Sequence, residues 1–148
     1  MNNYLREEHL YPRIMKFVNN RGYITSREVK PHLLSSRRID VVGVKPRKRE
    51  VVTVEAKVSN YSSVLVQATR NLSISDYVYV SFPQTYGVYI LEKYGRYLYG
   101  MGIGIIGVNG RSKELLPARQ STYVDLERKN MLMQMALGSV NNNEQTLF

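Results

Sequence analysis

Two acidic residues and a lysine interrupt a pair of valine-rich runs in the first half of the chain. Asp40 lies in the first run, Glu55 and Lys57 lie in the second, and a basic turn joins them. A hairpin centred between Arg47 and Lys48 would place Asp40 directly opposite Glu55. Because side chains alternate along a strand, Lys57 shares the face of Glu55. The pattern therefore predicts three charges on one face of the hairpin. The other face is predicted to be core and carries Ile39, Val41, Val52, Val54 and Ala56.

Two carboxylates held this close would repel, and one would take up a proton unless a cation lay between them. Mg²⁺ suits that position, since it prefers carboxylate oxygens and keeps several waters. A neighbouring lysine can orient or deprotonate an attacking water and offset the charge on a phosphate. The alternative is a buried ion pair of Lys57 with Asp40 or Glu55, which would contribute little to stability. The first interpretation predicts a metal site suited to phosphodiester hydrolysis.

The charge balance favours a polyanionic partner. Lys and Arg outnumber Asp and Glu by 21 to 12, which gives a net charge of +9. Such an excess on a small protein is typical of nucleic-acid binding, although a basic protein without such a partner has the same composition. Cysteine is absent, which excludes disulfides and cysteine-ligated zinc and fits a reducing cytosol. No apolar run approaches membrane-spanning length and no signal peptide is evident, so we expect a cytoplasmic protein without membrane contact.

The hydrophobic periodicity predicts an α/β (or α+β) fold with a mixed central β-sheet flanked by helices. We expect a single domain over residues 1–140 and a loose C-terminal tail over 141–148. A helix over 84–94 is predicted to end at Gly95, and Asn109-Gly110 predicts a type I′ hairpin turn. The other predicted helices are 4–20, 62–72 and 124–137, and the predicted strands are 23–30, 37–44, 50–58, 76–82, 103–108 and the run after Gly110.

Asp40, followed after fourteen residues by Glu55-Ala56-Lys57, resembles the PD-(D/E)XK motif of restriction-endonuclease-like nucleases. A helix at VLVQATRNL and a strand at DYVYVSFP follow in the order which that fold requires. The stretch GIGIIGVNGRSKELLPARQS is similar to a C-terminal hairpin of uncharacterised archaeal and viral members, and the superfamily also includes Holliday-junction resolvases. The resemblance covers roughly residues 5 to 120. Ile39 departs from the proline that often precedes the aspartate.

The resemblance implies a Mg²⁺-dependent DNA endonuclease, in which Mn²⁺ can substitute. Asp40, Glu55 and the backbone carbonyl of Ala56 would bind the metal, and Lys57 would assist the attacking water. Relatives often carry a further acid on the first helix. Here Glu7 is favoured over Glu8, because Glu7 leads the apolar stripe of that helix. Some relatives also place a glutamine after the lysine, which corresponds to Gln67 in this chain; the tyrosine that follows four residues later in them is Asn71 here.

Six basic residues are candidates for contact with nucleic acid: Arg37, Arg38, Lys45, Arg47, Lys48 and Arg49. A solvated turn is the simpler interpretation of the last four. A different class of function keeps the fold without the chemistry, as a non-catalytic nucleic-acid-binding or interaction module. The last helix carries an apolar stripe that predicts either core packing or a homodimer contact. That stripe consists of Val124, Leu126, Met131, Leu132 and Met135. The resemblance also suggests a prokaryotic cell or a virus-infected host cell as the setting.

Overall fold

A six-stranded mixed sheet forms the centre of the computed structural model, which describes residues 6–31 and 37–146, with side chains as far as residue 138. The strands lie in sequence order: β1 Ile24–Val29, β2 Ile39–Lys45, β3 Glu50–Ala56, β4 Tyr77–Pro83, β5 Ile103–Asn109 and β6 Arg111–Leu116. The β3–β4 and β4–β5 pairs are parallel, and the other three pairs are antiparallel. The predicted α+β fold with a mixed central sheet is confirmed.

Helices cover both faces of the sheet. A 3₁₀ turn at Glu7–His9 precedes α1 Tyr11–Asn19; the others are α2 Ser62–Asn71, α3 Gln84–Met101 and α4 Leu126–Thr146. In β3, Val52 and Val54 pack with α1, whereas Val51 packs with α4 on the opposite face. This two-sided burial explains why the central strands are almost continuously apolar. None of the helices in residues 6–31 and 37–146 is long and apolar enough to cross a membrane.

The β2–β3 hairpin has the predicted register. Val41 pairs with Val54 and Lys45 pairs with Glu50, so one further step along the ladder places residue 40 opposite residue 55. The same register puts the basic turn 46–49 at the other end of the hairpin. At about 3.3 Å per residue, that turn is roughly 17 Å or more from Asp40 along the strand.

Helices α1 and α3 differ from their predicted bounds at positions of Pro and Gly. The α-helix starts at Tyr11 because Pro12 is favoured in a first helical turn, where its missing N–H is not needed. Helix α3 passes through Gly95 and ends at Gly102, which adopts a left-handed φ of 79°. A single glycine inside a helix costs only about 1 kcal/mol relative to alanine. The buried residues of α3, such as Leu98, offset that cost by packing on the sheet.

The predicted type I′ turn between β5 and β6 is wrong in its backbone angles. That turn type requires positive φ at both central residues. Gly110 has a φ of 73°, whereas Asn109 does not have positive φ and pairs instead with Arg111 in the ladder. The hairpin itself forms as predicted.

Helix α4 starts later and ends later than predicted. Asp125 caps its N-terminus, since its Oδ1 accepts a hydrogen bond from the Arg128 N–H at 3.1 Å. The helix continues to Thr146 through most of the segment predicted to be a loose tail, because residues 139–146 include no proline or glycine that would end it. Within the predicted apolar stripe, Leu132 is buried in the core, whereas Leu126 is 69% exposed. The stripe therefore serves core packing mainly through Leu132, together with Met133 and Ala136, which the prediction omitted.

Candidate functional site

The two carboxylates of the hairpin meet at the start of β2 and the end of β3, and both are buried. For Asp40, Oδ1 accepts a hydrogen bond from the Tyr11 hydroxyl and Oδ2 accepts one from the Ala56 N–H, both at 2.8 Å. For Glu55, Oε2 accepts a hydrogen bond from Asn71 Nδ2 at 2.8 Å, and Oε1 accepts a longer one of 3.4 Å from the Asp40 N–H. Every carboxylate oxygen of the pair thus has a donor that holds it in place.

The two carboxylates do not share one face of the sheet as predicted. Asp40 contacts a residue from one face, and Glu55 contacts a residue from the other. Tyr11 belongs to α1 and Asn71 to α2, which cover opposite faces. The β1–β2 ladder is interrupted at this point: Glu28 has a φ of 55°, and residues 28 and 40 do not pair, although the pairs on either side keep one register. Ile39 accordingly packs on the α4 side and not with Val41. This irregularity accounts for the reach of Asp40 to Tyr11.

Burial and the negative charge of Asp40 raise the pKa of Glu55 to about 8, and the hydrogen bond from Asn71 only partly opposes that rise. Near pH 7 the Glu55 carboxyl therefore carries a proton for most of the time. Burial and the same Asp40 charge also raise the pKa of Tyr11, so its hydroxyl remains a hydrogen-bond donor. The electrostatics agree with the sequence-based argument that this pair needs either a proton or a cation.

The raised pKa of Glu55 predicts that the fold becomes less stable as the pH rises. The folded state binds more protons than the unfolded state between the ordinary pKa of 4.5 and the folded value of about 8. The contribution of Glu55 to stability is therefore largest below about pH 4.5 and is lost as the pH rises through 8, by up to about 1.4 kcal/mol per pH unit. Gln at position 55 cannot ionise and keeps an acceptor for Asn71. Between pH 5 and pH 8, the free energy of unfolding measured by urea denaturation should fall by roughly 2–4 kcal/mol more for wild type than for Glu55→Gln.

Glu8→Gln is the matched control for this measurement, because Glu8 is exposed and pairs only with Arg6 in the described part of the chain. It should retain the wild-type pH dependence. The assignment of the pH effect to Glu55 is contradicted if Glu55→Gln and Glu8→Gln lose equal stability between the two pH values.

Lys57 and Glu7 complete the polar surroundings of the pair. Lys57 Nζ lies 3.4 Å from Glu7 Oε1, and both side chains are about one-third exposed, at 31% and 34%. Glu8 points to Arg6 instead. The structure thus places Glu7, and not Glu8, beside Lys57, and Glu7 lies in the 3₁₀ turn before α1 rather than in the predicted helix. A cavity of about 330 Å³ is lined by Glu7, Tyr11, Arg37, Arg38, Asp40, Ala56, Lys57 and Gln67.

Two residues that position the carboxylates were not predicted to do so. Asn71 lies one helical turn after Gln67 and donates to Glu55, whereas Gln67 itself only lines the cavity. The spacing of four residues puts both amides on one face of α2. This spacing could have identified Asn71 from the sequence. Tyr11 is a buried member of the core cluster that includes Leu10, Ile14 and Val18. A buried tyrosine usually finds a hydrogen-bond partner for its hydroxyl, and here that partner is Asp40.

The six basic candidates separate into two groups. Arg37 and Arg38 line the cavity, and Arg38 also forms an ion pair of 3.5 Å with Glu28. The other four lie at the far end of the hairpin: Lys45, Arg47, Lys48 and Arg49. The turn therefore lies at the opposite end of the hairpin from the carboxylates.

Two residues of the distant group have contacts of their own. Lys45 forms an ion pair of 3.5 Å with Glu50 and lies 4.5 Å from the centre of the Tyr23 ring. Arg49 donates a hydrogen bond of 2.6 Å to Asn130 in α4. These contacts connect Arg49 to α4 and Lys45 to the residue that precedes β1, away from Asp40 and Glu55.

The donor set fits a magnesium ion with few protein ligands. Among the described residues, no group of three or more histidine or acidic side chains is arranged to hold a metal. Mg²⁺, however, is usually held by one or two carboxylates and keeps several waters. Each carboxylate oxygen can accept about two hydrogen bonds, so Asp40 and Glu55 retain acceptor capacity beyond the donors already present. Together with the backbone carbonyl of Ala56, they supply the hard oxygen ligands that this ion prefers.

Comparison with known proteins informs the fold alone. No family model and no curated protein matches the chain. Among solved structures, the chain is similar to SPO1766, a protein of unknown function from Silicibacter pomeroyi. The TM-score is 0.73 at 16% sequence identity, over 99% of this chain and 93% of that one. The architecture described above is therefore shared with this solved protein over nearly the whole length of the chain.

Proposed function

We propose that the protein is a Mg²⁺-dependent DNA endonuclease of the PD-(D/E)XK class. The observation that carries the proposal is the meeting of two buried, directly opposed carboxylates, Asp40 and Glu55, with Lys57 lining the same cavity as Asp40. Paired carboxylates and a lysine at the end of a sheet are the chemistry required for metal-assisted phosphodiester hydrolysis. A cytoplasmic location, in a prokaryotic or a virus-infected cell, belongs to the same proposal.

In this proposal, Asp40 and Glu55 would hold the ion with the carbonyl of Ala56, while Tyr11 and Asn71 keep the two carboxylates oriented. Bound Mg²⁺ or Mn²⁺ would supply a Lewis acid and a water of lowered pKa. Lys57 places its ammonium group in the same cavity, where it can orient the attacking water and offset the negative charge that develops on the phosphate. Glu7 restrains that ammonium group through the 3.4 Å ion pair.

The charge distribution supports a nucleic-acid substrate. The protein carries a net charge of +9. Arg37 and Arg38 line the cavity that holds Asp40 and Lys57, so they can contact backbone phosphates on either side of the bond to be cut. Phosphate contacts of this kind position a strand without reading its sequence.

A panel of labelled DNA substrates tests the proposal. Single-stranded, duplex, flap and four-way-junction DNAs, with an RNA strand for comparison, would be incubated with the purified protein in Mg²⁺, Mn²⁺ or EDTA. We expect cleavage of at least one DNA in either metal and none in EDTA. If none of the substrates is cleaved in either metal, the nuclease proposal is contradicted.

A second candidate is a nucleic-acid-binding module on the same fold without catalysis. The observation that favours it is that all four oxygens of Asp40 and Glu55 already accept hydrogen bonds within the protein, while Lys57 is paired with Glu7. Such a module would bind DNA with a steep dependence on salt but would not cleave it. Its thermal stability would not rise on addition of Mg²⁺. These two readouts separate it from the nuclease.

Glu7→Gln should lower the cleavage rate about tenfold, within the range of roughly 10- to 100-fold typical of groups that orient a catalytic residue. The substitution keeps the size of the side chain but removes the charge that restrains Lys57. Glu8→Gln is the matched control, since it removes the same charge one residue away. Single-turnover rates in Mg²⁺ should fall for the first variant only, and equal rates for the two variants would remove Glu7 from the site.

A further inference from the structure

A second cavity lies next to the first, on the side of the sheet covered by α2 and α4. Its volume is about 360 Å³, and Glu55 and Asn71 form part of its wall. Arg37, Arg38 and Gln67 line both cavities, so the two spaces share a boundary beside the carboxylate pair. Two further arginines, Arg70 and Arg128, line the second cavity but not the first.

The lining of the second cavity is strongly cationic. Four arginines surround it, and among the described residues that line it Glu55 carries the only carboxyl group. Arg70 belongs to the last turn of α2 and Arg128 to the first turns of α4, so two separate elements bring these charges together. Both residues are exposed, and neither side chain forms an ion pair with another residue in the described part of the chain. Like charges gathered around one space favour an anion within it.

We propose that the second cavity binds a phosphate group of the nucleic-acid strand, adjacent to the phosphodiester at the carboxylate pair, with Arg70 and Arg128 as its main contacts. The planar guanidinium group presents paired N–H donors that match the oxygens of a phosphate. Because the two cavities share a wall, neighbouring phosphates of one strand can occupy both. The identity of the anion as part of a substrate strand rests on the proposed nuclease function, whereas the phosphate site itself rests on the arginines.

The double variant Arg70→Gln/Arg128→Gln tests this assignment by binding, without any need for cleavage. The probe is a fluorescent single-stranded DNA of about ten nucleotides, which is within the length that one small domain commonly covers. Fluorescence anisotropy in EDTA should show a Kd at least about tenfold higher than that of wild type. The slope of log Kd against log salt concentration should fall by about 1 to 2, as expected for the loss of two phosphate contacts.

Arg47→Gln/Lys48→Gln is the matched control, because it removes the same charge from the exposed turn at the far end of the hairpin. This control should change the Kd by less than about threefold, because the turn lies roughly 17 Å or more from Asp40 along the hairpin, which exceeds a Debye length of about 10 Å. An equal loss of affinity in the two double variants would mean that overall charge decides binding, and would overturn the cavity assignment. Thermal unfolding midpoints within about 3 °C of wild type would exclude misfolding as the cause, since surface substitutions usually change stability by less than about 0.5 kcal/mol.

Two further arms separate the possible outcomes. Deoxyadenosine monophosphate should displace the labelled strand only at concentrations far above those of unlabelled oligonucleotide; equal potency would assign the cavity to a free nucleotide and overturn the strand assignment. Cleavage of the whole panel of labelled DNAs in Mg²⁺ and in Mn²⁺ is measured separately. Binding that depends on Arg70 and Arg128 without cleavage would contradict the nuclease and support the phosphate site. Cleavage by wild type, together with unchanged binding in the double variant, would support the nuclease and contradict the phosphate site.

Discussion

Asp40→Asn is expected to lower the rate of Mg²⁺-dependent DNA cleavage by about 10³-fold or more. Metal-based charge stabilisation contributes several kcal/mol to such reactions, and about 4 kcal/mol corresponds to that factor. The variant should remain folded. Its Oδ1 can accept the Ala56 N–H, while its amide donates to the hydroxyl of Tyr11, which can act as either donor or acceptor. The loss would therefore report on charge at the metal position rather than on folding.

Asp125→Asn provides the matched control for this prediction. Asp125 is exposed at the start of α4, and asparagine caps a helix as well as aspartate does. Single-turnover rates in Mg²⁺ should be unchanged in Asp125→Asn and reduced in Asp40→Asn. Equal cleavage by Asp40→Asn and wild type would show that this carboxylate has no part in the reaction.

Asp76→Ala is expected to lower the free energy of unfolding by about 3–5 kcal/mol, the cost typical of a buried charge left without its partner. Asp76 lies 3.2 and 3.3 Å from Lys129 Nζ through its two carboxylate oxygens, and both side chains are only 9% exposed. Its Oδ2 also accepts the Val51 N–H at 2.8 Å. Alanine would leave the ammonium group of Lys129 buried between α4 and the sheet, and Val51 without its side-chain acceptor.

A double-mutant cycle separates the ion pair from the other roles of Asp76. Asp76→Asn keeps an acceptor for Val51, and Lys129→Met keeps the apolar length of the lysine. The double variant should be more stable than the sum of the two single losses predicts, because removing both charges leaves neither one unpaired. Urea denaturation provides the four free energies. Strict additivity would show that Asp76 and Lys129 do not depend on each other, and Asp125→Asn again serves as the control for an exposed aspartate.

The hairpin and its register could be predicted because they depend on local pattern. Two valine-rich runs around a basic turn allow few registers, and the alternation of side chains then places Asp40 opposite Glu55. The preference for Glu7 over Glu8 relied on the spacing of an α-helix, but both residues lie in the 3₁₀ turn before α1. What this reasoning missed was also local: the irregular pairing at Glu28, which moves Asp40 to the boundary between the two faces.

Contacts between distant elements could not be predicted in the same way. Asn71 reaches Glu55, and Lys129 reaches Asp76, only after α2 and α4 have packed on the sheet. Periodicity assigns residues to a face but does not say which side chain on another element will meet them. The end of α3 shows the same limit, because tertiary packing outweighs the weak helix-breaking preference of Gly95.

A Mn²⁺ titration of wild type and Asp40→Asn, followed by electron paramagnetic resonance, tests the central claim most directly. Mn²⁺ binds oxygen ligands as Mg²⁺ does and gives a signal that distinguishes free from bound ion. We expect wild type to bind Mn²⁺ at a site that Mg²⁺ competes for, and Asp40→Asn to bind it at least about tenfold more weakly, because one of two carboxylate ligands is lost. Equal Mn²⁺ affinity in the two proteins, or no binding by wild type, would contradict a divalent-cation site at Asp40 and Glu55.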